Sequence, residues 1–222
     1  VPAGGGPHAF AMVRDDGVTP VGWDPCRPIS YVTRPGSLDV ADRLVDRAVQ
    51  MVSAATGLQF VDEGTTDESP SEDRSSYQPD RYGERWAPVL IAWSDAEESP
   101  RLGRSLPDDP TADVAGYASS RSAGFSTTDP RSGRSTEGGQ VLVSGSVVLD
   151  EEDLGSMLEQ PDGFARAGAV VAHEFAHLVG LGHVADPSQL MHPSARPSVT
   201  TFGPGDLEGL ARLGTLDCFP QI

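Results

Sequence analysis

Hydrophobic residues recur along the chain with two periods, one typical of strands and one typical of helices. Alternating or β-branched runs predict strands at 29–33, 58–61, 89–93, 114–119 and 140–149. Apolar residues three or four positions apart predict two long helices, after Ser37 and Asp162, and two shorter ones at 151–159 and 206–213. Because strands and helices alternate, the pattern predicts an α/β or α+β domain.

Polar caps and glycines mark the ends of the two long helices. Ser37 is the predicted N-cap of the first helix, and Gly57 ends it. Asp162 is the predicted N-cap of the second helix, which runs to about Gly180. The first helix has one apolar face, which predicts packing against a core and consists of Val40, Leu44, Val45, Val49 and Val52.

Composition marks out the N-terminus and three internal stretches. Residues 1–10 are rich in glycine and proline, and we expect 1–20 to be a flexible tail and 21–222 a single domain. The stretches 63–86, 94–111 and 120–139 are rich in Ser, Asp, Glu, Gly and Pro, and we interpret them as solvated surface loops. The alternative for these stretches is calcium binding, because hard cations prefer clustered oxygen ligands.

Length and charge exclude several functions. The 222 residues suffice for a sizeable core. A formal net charge of −17 argues against nucleic-acid binding, which requires a basic surface. No apolar run is long enough to cross a bilayer, and no charged-then-apolar leader is visible at Val1. We therefore expect no nucleic-acid partner and no membrane span. We also expect a monomer.

One histidine-rich segment, His-Glu-Phe-Ala-His-Leu-Val-Gly-Leu-Gly-His at 173–183, indicates the chemistry. On a helix, His173 and His177 lie one turn apart on the same face and can hold one metal ion. Gly180 allows the helix to end and the chain to turn back, so that His183 can approach the same ion. Three imidazoles plus a water make an open zinc site of the catalytic kind, and Glu174 lies where a carboxylate can reach that water.

Two other interpretations of this segment remain open. The first is a buried helix that contains a few core histidines, although three of the five histidines of the chain fall within these eleven residues. The second is a structural zinc site, although such sites usually have four protein ligands and are rich in cysteine. The extended spacing H-E-x-x-H-x-x-G-x-x-H favours the catalytic interpretation over both.

The motif resembles the zinc-binding consensus of the metzincin metalloproteases, and the residues that follow are similar to those of matrixins. Matrixins place a methionine beneath the metal, and Met191, eight residues after His183, matches that position. Matrixins usually have tyrosine between this methionine and the following proline, where this chain has His192 before Pro193. The resemblance thus implies that Met191 is the Met-turn residue and leaves the role of His192 undefined.

Two further segments extend the resemblance to about residues 21–219. Residues 23–32 resemble the opening of bacterial matrixin-like domains, and 202–210 resemble the C-terminal helix, although only Asp206 of its usual two aspartates is present. The resemblance implies a metzincin-type fold, with a twisted, mostly parallel sheet, a backing helix and a zinc helix in an upper subdomain of about 21–180. A small irregular lower subdomain of about 181–222 would end in a helix.

The same resemblance implies a zinc endopeptidase that hydrolyses peptide bonds in extended protein substrates. His173, His177 and His183 would bind the catalytic Zn²⁺, and Glu174 would activate the zinc-bound water. The peptide would pair with an edge strand formed by 114–119 or by part of 140–149. The loop 193–202 would line the pocket for the residue after the cleaved bond, with an apolar preference.

The two cysteines, Cys26 and Cys218, lie near opposite ends of the chain. One alternative is a thiolate on the zinc, as in latent matrixins, but the residues around Cys26 do not match that propeptide motif. We predict instead that the two cysteines form a disulfide, which is typical of secreted, extracellular proteins.

The resemblance also bears on additional metals and on other functions. Matrixins bind structural calcium, for which the candidates are Asp67, Asp73, Asp108, Asp109 and Asp113. Matrixins also carry a second zinc held by histidines, which we expect to be absent because only His8 and His192 lie outside the motif. Two alternative functions stay open, a zinc hydrolase of a non-protein amide and an inactive, zinc-containing binding module.

Overall fold

The computed structural model describes residues 5–106, 109–128 and 135–219, in which strands and helices alternate as the hydrophobic pattern predicts. The strands are β1 (Ala9–Phe10), β2 (Ile29–Arg34), β3 (Phe60–Thr65), β4 (Val89–Ser94), β5 (Ser105–Leu106), β6 (Asp109–Asp113), β7 (Gly116–Thr128), β8 (Ser135–Asp150) and β9 (Leu181–Gly182). The helices are α1 (Ala41–Thr56), α2 (Pro79–Tyr82), α3 (Glu151–Leu158), α4 (Gly163–Val179) and α5 (Pro204–Leu213). The sequence pattern did not predict the short elements β1, β5, β6, β9 and α2.

Five strands form the central sheet, in the order β3-β2-β4-β8-β7. The pairs β2–β3, β2–β4 and β4–β8 are parallel, whereas β7 runs antiparallel to β8 at the edge of the sheet. Every residue of β4 is buried, as is typical of a parallel strand that is covered on both faces. The predicted mostly parallel sheet is therefore confirmed, and β7 contributes its single antiparallel edge.

The main core lies between one face of the sheet and the helices α1 and α4. Leu44, Ala48 and Val52 of α1 are fully buried, as the apolar spacing of this helix predicts. Gly57 ends α1 in the left-handed conformation at φ 81°, and its amide donates to the carbonyl of Ser53 at 2.7 Å. The prediction that Gly57 ends this helix is therefore confirmed.

Of the two predicted N-caps, Ser37 is wrong, whereas Asp162 is the N-cap residue of α4 but does not cap it with its side chain. Helix α1 begins only after Val40, and the amide and hydroxyl of Ser37 donate instead to the carboxylate of Glu151, at 2.6 and 3.0 Å. Asp162 directly precedes α4, but its φ of 58° is left-handed and its side chain accepts no capping hydrogen bond. Both differences arise because tertiary contacts and turn geometry decide where a side chain points, while the cap preference is only local.

The predicted flexible tail is wrong from Ala9 onward. Strand β1 pairs antiparallel with β9, with Phe10 opposite Leu181, and the amide of Ala11 donates to the carbonyl of Gly180 at 2.9 Å. Phe10 and Met12 also pack against the main core. Glycine and proline dominate the composition of residues 1–10, so it gave no indication of this pairing.

The stretches predicted to be surface loops are partly regular. Residues 120–128 continue β7, which pairs with β8 as a long hairpin, and 94–111 contain β5 and the start of β6. Serine and glycine are poor strand formers, yet the ladder of backbone hydrogen bonds needs no particular side chain. The loop prediction is therefore wrong for these segments, whereas residues 129–134 lie outside the described residues.

The stretch 63–86 contains a buried ion pair. The guanidinium of Arg74 donates to both carboxylate oxygens of Glu68, at 2.8 and 2.9 Å, and to the carbonyl of Gly145 on β8 at 3.1 Å. Tyr82 donates to the same carboxylate at 2.6 Å. Both charged side chains are buried. This segment is thus attached to the outer face of the sheet through Arg74.

A disulfide joins Cys26 to Cys218, with their Cα atoms 5.5 Å apart. Phe219 then packs with Val141 and Val143 of β8 and meets the ring of Phe125 at 5.1 Å. The disulfide therefore ties the C-terminal segment to the residues that precede β2. Within the described residues, we find no helix that has both the length and the apolar character needed to span a membrane.

Candidate metal centre

Helix α4 places His173 and His177 on one face, with their ring centroids 4.6 Å apart. The helix is rich in alanine and valine, and its buried residues include Ala172, Phe175 and Ala176. These residues fix the helix against the sheet, so that the two histidines face the opposite side and are only partly buried.

The end of α4 brings His183 back to these two rings. Gly180 has φ 113°, and a Cβ at this position would lie 2.9 Å from the carbonyl oxygen of Val21. Glycine is therefore required both for the turn and for the close approach of the N-terminal segment. After this turn, Nε2 of His183 lies 3.0 Å from Nε2 of His173 and 2.9 Å from Nε2 of His177.

Backbone carbonyls orient the two helical histidines. Nδ1 of His173 lies 2.8 Å from the carbonyl oxygen of Leu190, and Nδ1 of His177 lies 2.7 Å from that of Leu181. Because each Nδ1–H donates to a carbonyl, each Nε2 keeps its lone pair for a metal. Burial lowers the pKa of His173 well below its usual value and that of His177 to about 4. Both rings are thus neutral near pH 7, the form that binds metals.

The three histidines fit a zinc ion. Their ligand nitrogens lie within 4.8 Å of one another, which a single ion with Zn–N bonds of about 2.0–2.1 Å can bridge. Among the described residues, the other group of potential ligands is Asp24 with Cys26 and Cys218, whose sulfur atoms form the disulfide. The histidine cluster is thus the group whose donor chemistry fits a resident zinc.

Glu174 follows the first histidine but its side chain lies against the edge strand β7. A Cβ on Gly116 would lie 3.1 Å from Cγ of Glu174, and the backbone of Ala118 forms a hydrogen bond with its carboxylate. Burial raises the pKa of Glu174 to about 8, while the charge of Arg101 and the Ala118 hydrogen bond act in the opposite direction. This carboxyl group can therefore bind and release a proton near neutral pH.

The turn beneath the histidines contains Met191, whose side chain is fully buried. The carbonyl of Met191 accepts a hydrogen bond from the amide of Val184 at 3.0 Å, which joins this turn to the residue after His183. The structure thus places Met191 in the core directly behind the segment that carries the third histidine. Its assignment as the Met-turn residue stays a prediction from the resemblance.

Asp206 on α5 supports this turn, a role that the sequence did not reveal. Oδ2 of Asp206 accepts from the amide of Leu190 at 2.6 Å and from that of Gly203 at 2.9 Å. Leu190 is also the residue whose carbonyl accepts from His173. Gln189 contributes as well, because its Oε1 accepts from the amide of Asp206 at 3.2 Å and so caps α5. The only sequence signal was the Gly-Pro-Gly-Asp helix start at 203–206.

A cavity of about 610 Å³ opens beside His183. Its wall is formed by Val184, Ala185, His192 and the loop 193–197. Nδ1 of His192 lies 3.0 Å from the carbonyl oxygen and 3.1 Å from the amide nitrogen of Ser194, so the ring is held by its own turn. The first half of the predicted pocket loop 193–202 thus lines a cavity that contains a histidine of the metal cluster.

The calcium candidates gain no support from the described residues. Asp67 forms an ion pair with Arg81, and Asp73 belongs to neither group of potential metal ligands found there. Asp108 lies outside the described residues, and the side chains of Asp109 and Asp113 are not described. Calcium binding therefore stays a prediction.

Comparisons with known proteins found a family match and similar solved structures. The matrixin family model matches residues 119–213. No curated protein matches the sequence significantly. Among solved structures, the chain is similar to archaemetzincin from Methanopyrus kandleri, at 17% identity and a TM-score of 0.45 over 85% of this chain and 96% of that one. It is also similar to a zinc-dependent peptidase from Methanocorpusculum labreanum, at 14% identity and a TM-score of 0.34 over 85% and 95% of the two chains.

The part of the chain that the family model covers contains α4, the turn at Gly180, Met191 and all of α5. The matrixin family model therefore matches the part of the chain that contains every residue of the histidine motif, in agreement with the resemblance in the sequence.

Proposed function

We propose that the protein is a zinc-dependent endopeptidase that cleaves extended segments of protein substrates. One observation carries this proposal. The ligand nitrogens of three histidines converge within 4.8 Å, and Glu174, the residue after the first of them, has its buried carboxyl group against the edge strand β7. This arrangement supports a metal site, a proton acceptor and a peptide-binding edge in the same region of the fold.

His173, His177 and His183 would hold the zinc ion. Zinc bound there would supply Lewis-acid chemistry, since it lowers the pKa of a coordinated water to about 7 and polarises a carbonyl group. The carbonyls of Leu190 and Leu181 keep two of the three rings in the tautomer that leaves Nε2 free.

Glu174 is the proposed general base and general acid. Its carboxylate is buried, and the raised pKa of about 8 that follows from burial favours proton uptake. Glu174 would accept the proton of the attacking water and then pass it to the nitrogen of the leaving amine. The hydrogen bond with the Ala118 backbone keeps the carboxylate at the border between α4 and β7 while it does so.

Strand β7 is the proposed platform for the peptide. Among the described strands it pairs with β8 alone, so we propose that backbone groups on its other side bind an extended chain. Of the two predicted edge strands, 140–149 pairs with β7 along its length and with β4 from Ser146 onward, which favours 114–119 as the platform. A substrate that pairs near Gly116 and Ala118 would present its backbone to Glu174.

The test is cleavage of a quenched fluorescent peptide library and of casein by the zinc-loaded protein. We expect cleavage of both, loss of cleavage in a chelator, and recovery on adding zinc. Glu174→Ala should lose cleavage while it still binds one zinc, and the exposed Glu159→Ala control should behave as the wild type. If the zinc-loaded protein hydrolyses neither the peptides nor casein, the proposal is overturned in favour of a non-protein amide hydrolase or an inactive binding module.

We also propose that the protein works outside the cell as a monomer. The disulfide between Cys26 and Cys218 supports an oxidising compartment, since cytosolic proteins rarely retain such bonds. Gel filtration at micromolar concentration tests the monomer, and a dimer would contradict it.

A further inference from the structure

The cavity beside His183 differs in charge from the rest of the molecule. The chain has 33 acidic and 16 basic residues, and every basic residue is an arginine. Among the residues that the structure describes, no Asp or Glu lines this cavity, and Arg196 is the only permanently charged residue in its wall. Val184, Ala185 and Pro193 give the wall an apolar part, and the uncharged side chain of Ser194 and the two histidines His183 and His192 also line it. A positive group therefore lies next to the metal cluster in a strongly acidic protein.

The guanidinium of Arg196 is available to a ligand. The side chain is exposed, and no carboxylate of the described residues lies within 4.0 Å of it. Five other arginines are paired with carboxylates, namely Arg27, Arg34, Arg74, Arg81 and Arg85. The carbonyl of Arg196 accepts from the amide of Val199 at 2.9 Å, so a turn fixes the backbone from which the side chain projects.

We propose that Arg196 makes this cavity a subsite for an acidic side chain of the substrate, adjacent to the scissile bond. This inference rests on the proposed peptidase function. A substrate held at the histidine cluster places a neighbouring side chain beside His183, and the apolar wall accepts its methylene groups. The planar guanidinium then binds the carboxylate through two parallel hydrogen bonds. The apolar preference that the loop composition predicts is replaced by a preference for Glu or Asp.

The proposed preference for an acidic side chain comes from short-range contacts in the cavity. At long range the net charge of −17 repels an acidic peptide. The preference for Glu over Gln therefore depends on the close ion pair between the substrate carboxylate and Arg196. This preference should change when Arg196 is replaced, and it should depend less on ionic strength than long-range electrostatic steering does.

The test uses two series of fluorescent peptides that carry Glu, Gln, Leu or Arg directly before or directly after the cleaved bond. For wild type we expect kcat/KM for Glu to exceed that for Gln about three- to tenfold in one series, which corresponds to roughly 0.7–1.4 kcal/mol. Arg196→Gln should abolish this ratio, and Arg196→Glu should reverse it in favour of the Arg peptide. Arg104→Glu, the same charge change on an exposed loop residue, should keep the wild-type ratio.

The outcomes separate this inference from the function on which it rests. Efficient cleavage with equal rates for Glu and Gln in both series overturns the acidic subsite and leaves the peptidase intact. The same holds if Arg196→Glu and Arg104→Glu change the ratio equally, because the effect would then come from net charge. If no peptide is cleaved by zinc-loaded wild type, the peptidase function fails, and the acidic subsite fails with it.

Discussion

The Asp206→Ala variant tests whether hydrogen bonds from α5 stabilise the metal centre. The carboxylate of Asp206 is fully buried, and its Oδ2 accepts from the amides of Leu190 and Gly203 at 2.6 and 2.9 Å. The carbonyl of Leu190 in turn accepts from Nδ1 of His173 at 2.8 Å. A single residue therefore connects the helix α5 to a proposed zinc ligand.

The expected loss of stability follows from these contacts. Hydrogen bonds to a charged group contribute about 1.5–3 kcal/mol each, and the alanine variant leaves two buried amides without an acceptor. The cost of burying the carboxylate offsets part of this, since burial raises the pKa of Asp206 and its Oδ1 has no hydrogen-bond partner among the described residues. We expect a net loss of about 2–4 kcal/mol. Asp206→Asn keeps one acceptor oxygen, so it should lose roughly half as much.

Two assays measure these effects. Urea unfolding of the metal-free protein gives the free energy of unfolding, and competition with a chromophoric chelator gives the zinc affinity. Zinc affinity of Asp206→Ala should fall about 10–100-fold, because the orientation of His173 depends on Leu190. Asp42 is exposed, so Asp42→Ala is the control, and its free energy of unfolding should change by less than about 0.5 kcal/mol. A variant at Asp206 that unfolds and binds zinc like the wild type would refute this reasoning.

Three further predictions concern stability. Arg74→Met should lower the free energy of unfolding by about 3–5 kcal/mol in urea at pH 7, because it leaves the carboxylate of Glu68 buried and unpaired; a loss below 1 kcal/mol would contradict this. Burial raises the pKa of Glu68, but hydrogen bonds from Arg74 and Tyr82 lower it more, so that it lies below its usual value. The unfolded chain therefore binds more protons between the folded and unfolded pKa values, so stability should fall as the pH drops through the usual titration range of a glutamate, and less so in Glu68→Gln. Replacing Cys26 and Cys218 by serine should cost about 2–5 kcal/mol, since the bond closes a loop across 192 residues; an unchanged urea midpoint would show that the disulfide contributes nothing.

The helices and the buried strands follow from local sequence patterns. Leu44 and Val52 lie on the apolar face that their spacing predicts, and β4 is a short continuous apolar run. His173 and His177 were predictable for the same reason, because the four-residue spacing fixes their relative position on any helix. His183 was predictable because Gly180 is required for the turn that returns it to the same site.

The features that the sequence did not reveal depend on contacts between distant residues. Arg74 and Glu68 lie in a stretch whose composition indicates a surface loop, yet they bury a charge pair against β8. Phe10 belongs to a glycine-rich segment and pairs with Leu181, which is distant in the sequence. The acceptors of the histidine Nδ1 atoms are backbone carbonyls, which carry no sequence signature. The role of Asp206 is likewise visible only once α5 packs beneath Leu190.

The central claim is that Glu174 moves the proton in peptide hydrolysis at a zinc site formed by three histidines. The most direct test compares kcat/KM of zinc-loaded wild type and Glu174→Gln on the best peptide, with bound zinc measured in the same samples. We predict one zinc per chain in both proteins and a loss of activity of about 10²–10⁴-fold in the variant. A Glu174→Gln variant that retains its zinc and cleaves the peptide at the wild-type rate would contradict the claim.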